Sequence, residues 1–84
     1  MPVKNDDIVI VEGSKYLVLT TFEDSGIRYA FANQITPDEE DVTDIYYLFT
    51  DNNGHLLRVT DERIINRLAP IIQQGVEEAL NNID

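Results

Sequence analysis

The sequence predicts an α+β domain in which an antiparallel meander of about five strands precedes one amphipathic helix. Three observations predict it: short runs rich in β-branched and aromatic residues, turn residues between most of these runs, and an apolar period that changes from two to about 3.6 residues after Thr60. The 84 residues suffice for a single domain. We therefore expect the sheet at about residues 7–60 and the helix at about residues 61–82.

The predicted strands follow one another through short connections. They lie at residues 8–11, 16–22, 27–33, 44–50 and 55–60. Three connections carry turn residues, at Gly13-Ser14, Asp24-Ser25-Gly26 and Asp51-Asn52-Asn53-Gly54. Connections of this size join neighbouring antiparallel strands, so the strand order should follow the chain order.

Alternation along the strands predicts two apolar sheet faces. The first, which we expect the helix to cover, consists of Tyr16, Val18, Phe22, Ile27, Tyr29, Phe31, Ile45, Tyr47, Phe49, Leu57 and Val59. The second consists of Leu17, Leu19, Ala30, Ala32, Tyr46, Leu48 and Leu56. Because the second face is also too apolar to be plainly solvated, either the sheet curls or a partner covers it. The simplest such partner is a second copy of the chain, which would form a homodimer.

The predicted helix combines an apolar stripe with an internal proline. The stripe consists of Ile64, Leu68, Ile72, Val76, Ala79 and Ile83. Thr60 or Asp61 can cap the amino-terminal end of the helix. Pro70 removes a backbone donor inside the stripe, which nevertheless continues in phase on both sides. We therefore expect one helix, kinked at Pro70, packed on one face of the sheet.

Charge and residue usage limit the classes of partner. Sixteen acidic and six basic side chains give a net charge of −10, which repels nucleic-acid phosphates and anionic membrane surfaces. Direct binding to nucleic acid or to a membrane is therefore not expected. The amino-terminal segment is too acidic, and its apolar run is too short, for a secretory signal. We therefore expect a cytoplasmic location.

Motifs that would indicate an enzyme or a cofactor are missing from the sequence. The chain has no cysteine, and His55 is the single histidine, so neither a thiolate nucleophile nor a usual zinc ligand set is present. The four glycines are scattered and form no phosphate-binding loop. We predict a non-enzymatic protein with no cofactor, no metal ion and no catalytic residues.

One acidic segment, ITPDEEDVTDIYY at residues 35–47, is the candidate functional feature. Its carboxylates and the tyrosine beyond them are Asp38, Glu39, Glu40, Asp41, Asp44 and Tyr46. The spacing does not match an EF-hand loop. The segment is either a solvated loop or a surface that meets Lys and Arg side chains of a partner, with Tyr46 as an exposed anchor.

These observations favour a small acidic protein-binding or regulatory module that acts through a protein partner. An alternative is a nucleic-acid mimic, whose carboxylates imitate phosphates and occupy a basic DNA- or RNA-binding protein. A small-ligand-binding protein is a further alternative, since carboxylates and tyrosines can form a site without a linear motif.

A family resemblance rests on YLVLTTFEDSGIRYAFANQITPDEED, the turn DNNGHLLRV, and Asp61-Glu62 at the predicted helix start. Over residues 16 to about 72 the chain resembles the small acidic YrzB-like proteins of Gram-positive bacteria, a family of unknown function. The family tends to have a tryptophan soon after the helix start, where this chain has Ile64-Ile65. The resemblance implies a stand-alone cytoplasmic bacterial protein, and it assigns no activity, cofactor or site residue.

Overall fold

The structure, a computed structural model, describes residues 1–81 and confirms the α+β architecture. The elements are β1 (Ile8–Val11), β2 (Ser14–Asp24), β3 (Ile27–Ile35), β4 (Val42–Asn52), β5 (His55–Arg58) and α1 (Glu62–Asn81). The strands form one antiparallel sheet in the order β1-β2-β3-β4-β5. Two details of the predicted helix, its end at residue 82 and the stripe position Ile83, lie outside the described residues.

Three of the hairpins close through two-residue turns of one type. The turn residues are Glu12-Gly13, Ser25-Gly26 and Asn53-Gly54, and both residues of each pair have positive φ, as at Asn53 (55°) and Gly54 (96°). Turns of this kind match the right-handed twist of the strands that they join. The first turn lies one residue before the predicted position, so that Ser14 already belongs to β2.

The sheet curls into a half-barrel, and each of its two faces buries apolar side chains. On one face Tyr29 and Leu48 pack against Leu68 and Ile72 of α1. On the concave face two clusters form, which contain Val18 and Ala30 in one and Tyr16, Ala32 and Phe49 in the other. Of the two expectations for the second apolar face, curling is therefore the one observed.

The predicted division of side chains between the two faces is wrong for part of β2 and β4. Tyr16, Val18, Tyr47 and Phe49 were expected under the helix, but they lie in the concave clusters with Ala30 and Ala32. Conversely, Leu17, Leu19, Tyr46 and Leu48 lie on the face that carries α1.

A bulge in β2 is one physical reason for this difference. Val18 pairs with Ala32 and Thr20 pairs with Phe31, so β2 has one more residue, Leu19, than the strand opposite. The extra residue reverses the alternation, because every side chain beyond it points to the other face. The prediction assumed that side chains alternate between the two faces along the whole of an unbroken strand.

Helix α1 begins at a capped end and continues through Pro70. The Oδ1 atom of Asp61 accepts a hydrogen bond from the backbone N–H of Arg63 at 2.9 Å, which satisfies one of the free donors of the first turn. Of the two predicted caps, Asp61 is thus the one used. The helix spans Glu62–Asn81 as one element with Pro70 inside it, and its buried residues are Leu68 and Ile72.

A buried carboxylate fastens the amino-terminal segment to the sheet. The side chain of Asp51 is fully buried, and its Oδ2 accepts hydrogen bonds from Val3 N (2.8 Å) and Arg28 Nε (3.3 Å). Its Oδ1 accepts a third from Gly54 N at 2.7 Å. Val3 is thereby held against Val18 and Ala30 on the concave face.

Candidate functional site: the acidic loop and an adjacent apolar groove

The acidic segment between β3 and β4 is a hydrogen-bonded loop organised by Thr36. The Thr36 N–H donates to the carbonyl of Asp41 and the Glu39 N–H donates to the carbonyl of Thr36, both at 2.9 Å. The Thr36 hydroxyl donates to Asp38 Oδ1 at 2.6 Å and accepts from Asp41 N at 3.1 Å. Threonine and aspartate are suited to such local bonds, so this part of the sequence encodes its own turn.

Two of the loop carboxylates are engaged in holding the loop. The Lys15 ammonium donates to the carbonyl of Pro37 and to Glu39 Oε2, each at 2.8 Å. Asp38 accepts from Thr36 and from the Glu40 N–H. The Thr36 hydroxyl, followed by the Glu40 N–H, holds the pKa of the Asp38 carboxyl below its ordinary value, because both bonds favour the ionised form.

The other three predicted carboxylates face solvent. The side chains of Glu40, Asp41 and Asp44 are exposed, and they make no hydrogen bond or ion pair to other residues within the range 1–81. Their charge is consequently available to a partner. The structure therefore divides the predicted acidic surface into two loop-holding residues and three outward-facing ones.

Tyr46 is half-exposed and lies beside the helix. Its ring is stacked on that of Phe31, with centroids 5.8 Å apart and planes 4° from parallel. The residue is 48% exposed to solvent. The prediction of an exposed Tyr46 is confirmed, whereas its predicted position on the face away from the helix is wrong.

The register of β4 places Tyr46 there, because it pairs Tyr46 with Asn33 and Leu48 with Phe31, and a second bulge lies directly before Tyr46. Asn33 pairs with Tyr46 and Ile35 pairs with Val42, so three residues of β4, 43–45, lie opposite one residue of β3. The buried side-chain amide of Asn33 donates to the carbonyls of Thr43 (2.8 Å) and Ile45 (3.0 Å). These two bonds satisfy backbone acceptors that the bulge removes from the regular ladder.

An apolar groove of about 560 Å³ opens between α1 and the sheet, next to the acidic loop. Its lining residues are Leu17, Leu19, Phe31, Asn33, Val42, Tyr46, Val76 and Leu80. Apart from Asn33 and the Tyr46 hydroxyl, these side chains are hydrocarbon. The rim residues Val42 and Leu80 are 63% and 61% exposed. Large exposed apolar side chains around a concave surface are typical of an interaction site.

The acidic loop and the groove form one continuous surface, which we call the loop–groove surface. Asp41 and Val42 are consecutive, so the outward-facing charge of the loop borders the apolar rim directly. Such a surface can receive an apolar side chain and attract the cations beside it.

Metal clusters and membrane-spanning helices are not found within residues 1–81. That range contains no group of three or more His, Asp or Glu side chains arranged to hold a metal ion. His55 lies exposed in β5 after the Asn53-Gly54 turn. No helix in the described part of the chain has the length and apolar character required to span a membrane.

The groove is the part of the site that the sequence did not predict. Leu17 and Leu19 were assigned to the opposite face, and Val42 was placed in the connection before the fourth strand. One signal was present in the sequence: Asn33, a polar residue at the end of an apolar strand, is the kind of residue that supports a bulge.

The chain was compared with protein-family models, with curated proteins and with solved structures. None matches it. The resemblance to the YrzB-like proteins therefore stays a prediction, and the functional argument depends on the loop–groove surface itself.

Proposed function

We propose that this chain is a non-enzymatic binding module whose loop–groove surface receives a segment of a partner protein. The segment would insert an apolar side chain into the groove and place Lys or Arg residues beside Glu40, Asp41 and Asp44. The observation that carries this proposal is that an exposed apolar groove begins at Val42, the residue directly after the outward-facing Glu40 and Asp41. A small acidic protein of the cytoplasm, as the resemblance implies, would act in this way without a cofactor.

The two halves of the surface have different roles in this proposal. Burial of an apolar anchor in the groove contributes most of the affinity, because a few well-packed side chains dominate most interfaces. Tyr46 suits such a contact, since it offers a large apolar area and a hydroxyl. The carboxylates speed the encounter and select basic segments, an effect that salt weakens.

Affinity capture from cell extract at low and at high salt tests the proposal, with two variants compared with wild type. Leu80→Asp introduces a charge into the groove, and the triple change Glu40→Gln, Asp41→Asn, Asp44→Asn removes the outward-facing charge. We expect Leu80→Asp to abolish capture of the partner at both salt concentrations. The triple variant should weaken capture on the order of tenfold at low salt, because each exposed charge pair contributes modestly.

Matched controls separate the loop–groove surface from general effects. Ile27→Asp places the same charge at another exposed apolar site, since Ile27 is 46% exposed and lies outside the groove. The triple change Glu23→Gln, Glu62→Gln, Glu78→Gln removes three exposed charges elsewhere on the surface. Equal loss of capture in test and control variants, with all variants folded, would contradict the proposal.

The same experiment distinguishes the nucleic-acid mimic. A partner that normally binds DNA or RNA should be released when an excess of nucleic acid is added, because both ligands would occupy one basic cleft. A partner that recognises the groove should be retained under that treatment. Homodimerisation also stays a prediction; sedimentation of a monomer at high micromolar concentration would contradict it.

A further inference from the structure

The two edge strands of the sheet face each other across a second groove. Strand β1 and strand β5 have four residues each and flank a groove of about 590 Å³, whose lining includes Tyr16 and Phe49. The strands run antiparallel to their neighbours throughout the order β1-β2-β3-β4-β5. Because the number of strands is odd, β1 and β5 point in the same direction.

Both edges direct backbone hydrogen-bonding groups toward this groove. In β1 the carbonyl of Asp7 accepts from Val18 N at 2.9 Å, so by alternation Ile8 and Ile10 point their N–H and C=O groups away from β2. In β5 the N–H of Val59 donates to the carbonyl of Leu48 at 2.8 Å, which leaves the groups of Leu56 and Arg58 pointing outward. Within residues 1–81, no backbone hydrogen bond joins β1 to β5.

From this geometry we infer that the groove between β1 and β5 accepts one extended segment of a partner protein as a sixth strand. A strand that runs antiparallel to both edges would pair with Ile8 and Ile10 on one side and with Leu56 and Arg58 on the other. It would convert an odd, open sheet into an even, fully antiparallel one. Pairing of a peptide with a free sheet edge is an established mode of recognition.

The volume and the lining of the groove between β1 and β5 indicate the length and the residue types of the segment. A four-residue strand with ordinary spacing takes on the order of 600 Å³, which agrees with the groove volume of about 590 Å³. Alternate side chains would lie on Tyr16 and Phe49 and should therefore be apolar. The net charge of −10 favours basic residues at the ends of the segment. This site is separate from the loop–groove surface, so either proposal can fail alone.

The probe is the synthetic peptide Lys-Val-Thr-Val-Thr-Val-Lys, added to the full chain at up to millimolar concentration. We expect amide hydrogen exchange of Ile8, Ile10, Leu56 and Arg58 to slow at least tenfold, because these N–H groups become hydrogen-bonded. The same peptide N-methylated at residues 2–6 keeps its side chains and loses the backbone donors of both its edges, and it should not slow exchange.

Two substitutions at one position separate backbone pairing from side-chain contact. Ile10→Pro removes an N–H that β2 does not use, and proline is tolerated on edge strands; it should weaken peptide binding at least tenfold. Ile10→Ser retains the N–H and should bind within twofold of wild type. Equal binding by Ile10→Pro, binding of the N-methylated peptide, or unchanged exchange at millimolar peptide would each overturn the inference.

Discussion

Thr36 is the residue on which the conformation of the acidic loop depends most directly. Its hydroxyl donates to Asp38 and accepts from the Asp41 N–H, while its N–H donates to the Asp41 carbonyl. The loop thus begins and ends at one side chain. This local network gives a charged loop a defined shape, so that Glu40 and Asp41 project in fixed directions beside the groove.

Removing the Thr36 hydroxyl should raise the pKa of Asp38 toward its ordinary value. The hydrogen bond from Thr36 is the largest cause of the lowered pKa, and Thr36→Val removes it at constant shape. NMR titration of the side-chain carboxyl measures the change. Thr36→Ser, which retains a hydroxyl, should leave the pKa low; an unchanged pKa in Thr36→Val would show that the backbone donor alone is sufficient.

The same pKa shift fixes the direction of a pH effect on the loop. A carboxyl whose pKa is lower in the folded state stabilises that state above its unfolded pKa, and the stabilisation is lost as the pH falls through the folded pKa. The amide of Glu40 should therefore stay protected from exchange above about pH 4 and lose protection below it. In Asp38→Asn, whose side chain does not titrate, this pH dependence should be absent.

At the scale of elements, the packing of α1 on β2 requires a glycine at position 75. A Cβ atom built on Gly75 would lie 2.9 Å from both the Cβ and the Cγ2 of Thr20, which is too close for any real contact. Thr20 is buried in β2 and its branched side chain has little freedom to move. Helix α1 and strand β2 can approach this closely only because the helix has a glycine, Gly75, opposite Thr20.

Gly75→Ala should destabilise the protein, against the normal preference of helices for alanine. Overpacking costs about 1–3 kcal/mol, which exceeds the gain of about 1 kcal/mol in helix propensity. Chemical denaturation measures the free energy of unfolding. In a Thr20→Gly background, which removes the Cβ, Cγ2 and Oγ1 atoms that a Cβ at position 75 would meet, the same substitution should become neutral or stabilising; Gln74→Ala is the exposed control. Destabilisation of equal size in both backgrounds would contradict this explanation.

The elements are also where sequence reasoning reaches its limit. All five strands, the helix and the Asp61 cap follow from local patterns, because turns, alternation and caps are encoded within a few residues. The bulges at Leu19 and at residues 43–45 depend instead on which strands are neighbours and how the connection between β3 and β4 folds. Since one inserted residue exchanges the two faces, Leu17 was placed on the wrong side. Tyr46 was misplaced because the register between β3 and β4 pairs it with Asn33, and the groove was therefore not predicted.

At the scale of the molecule, Asp51 connects the amino-terminal segment, β3 and the β4–β5 turn. Its fully buried carboxylate accepts bonds from Val3, Arg28 and Gly54, residues far apart in the chain. The Arg28 Nη2 group also donates to the Val3 carbonyl at 2.8 Å. Apolar packing of Val3 therefore depends on a polar network at the edge of the concave core.

Asp51→Asn should destabilise the protein by about 2 kcal/mol or more, because the amide places a donor against the donors of Val3 and Arg28. Denaturation measures the change, and exchange of the Val3 amide should accelerate. Asp24→Asn is the matched control: Asp24 pairs with Arg67, whose side chain is 56% exposed, and the loss of that pair should cost less than about 1 kcal/mol. Equal effects of the two substitutions would contradict the role assigned to Asp51.

The most direct test of the proposed function is photo-crosslinking from the groove in living cells. Benzoylphenylalanine placed at Val42 lies on the groove rim, and the same group placed at Glu78 lies on the exposed face of α1. We predict one dominant adduct with a single partner protein from position 42, absent from position 78 and lost when Leu80→Asp is added. The same adducts from both positions, or adducts from position 42 that persist with Leu80→Asp, would contradict the claim that this groove is the binding site.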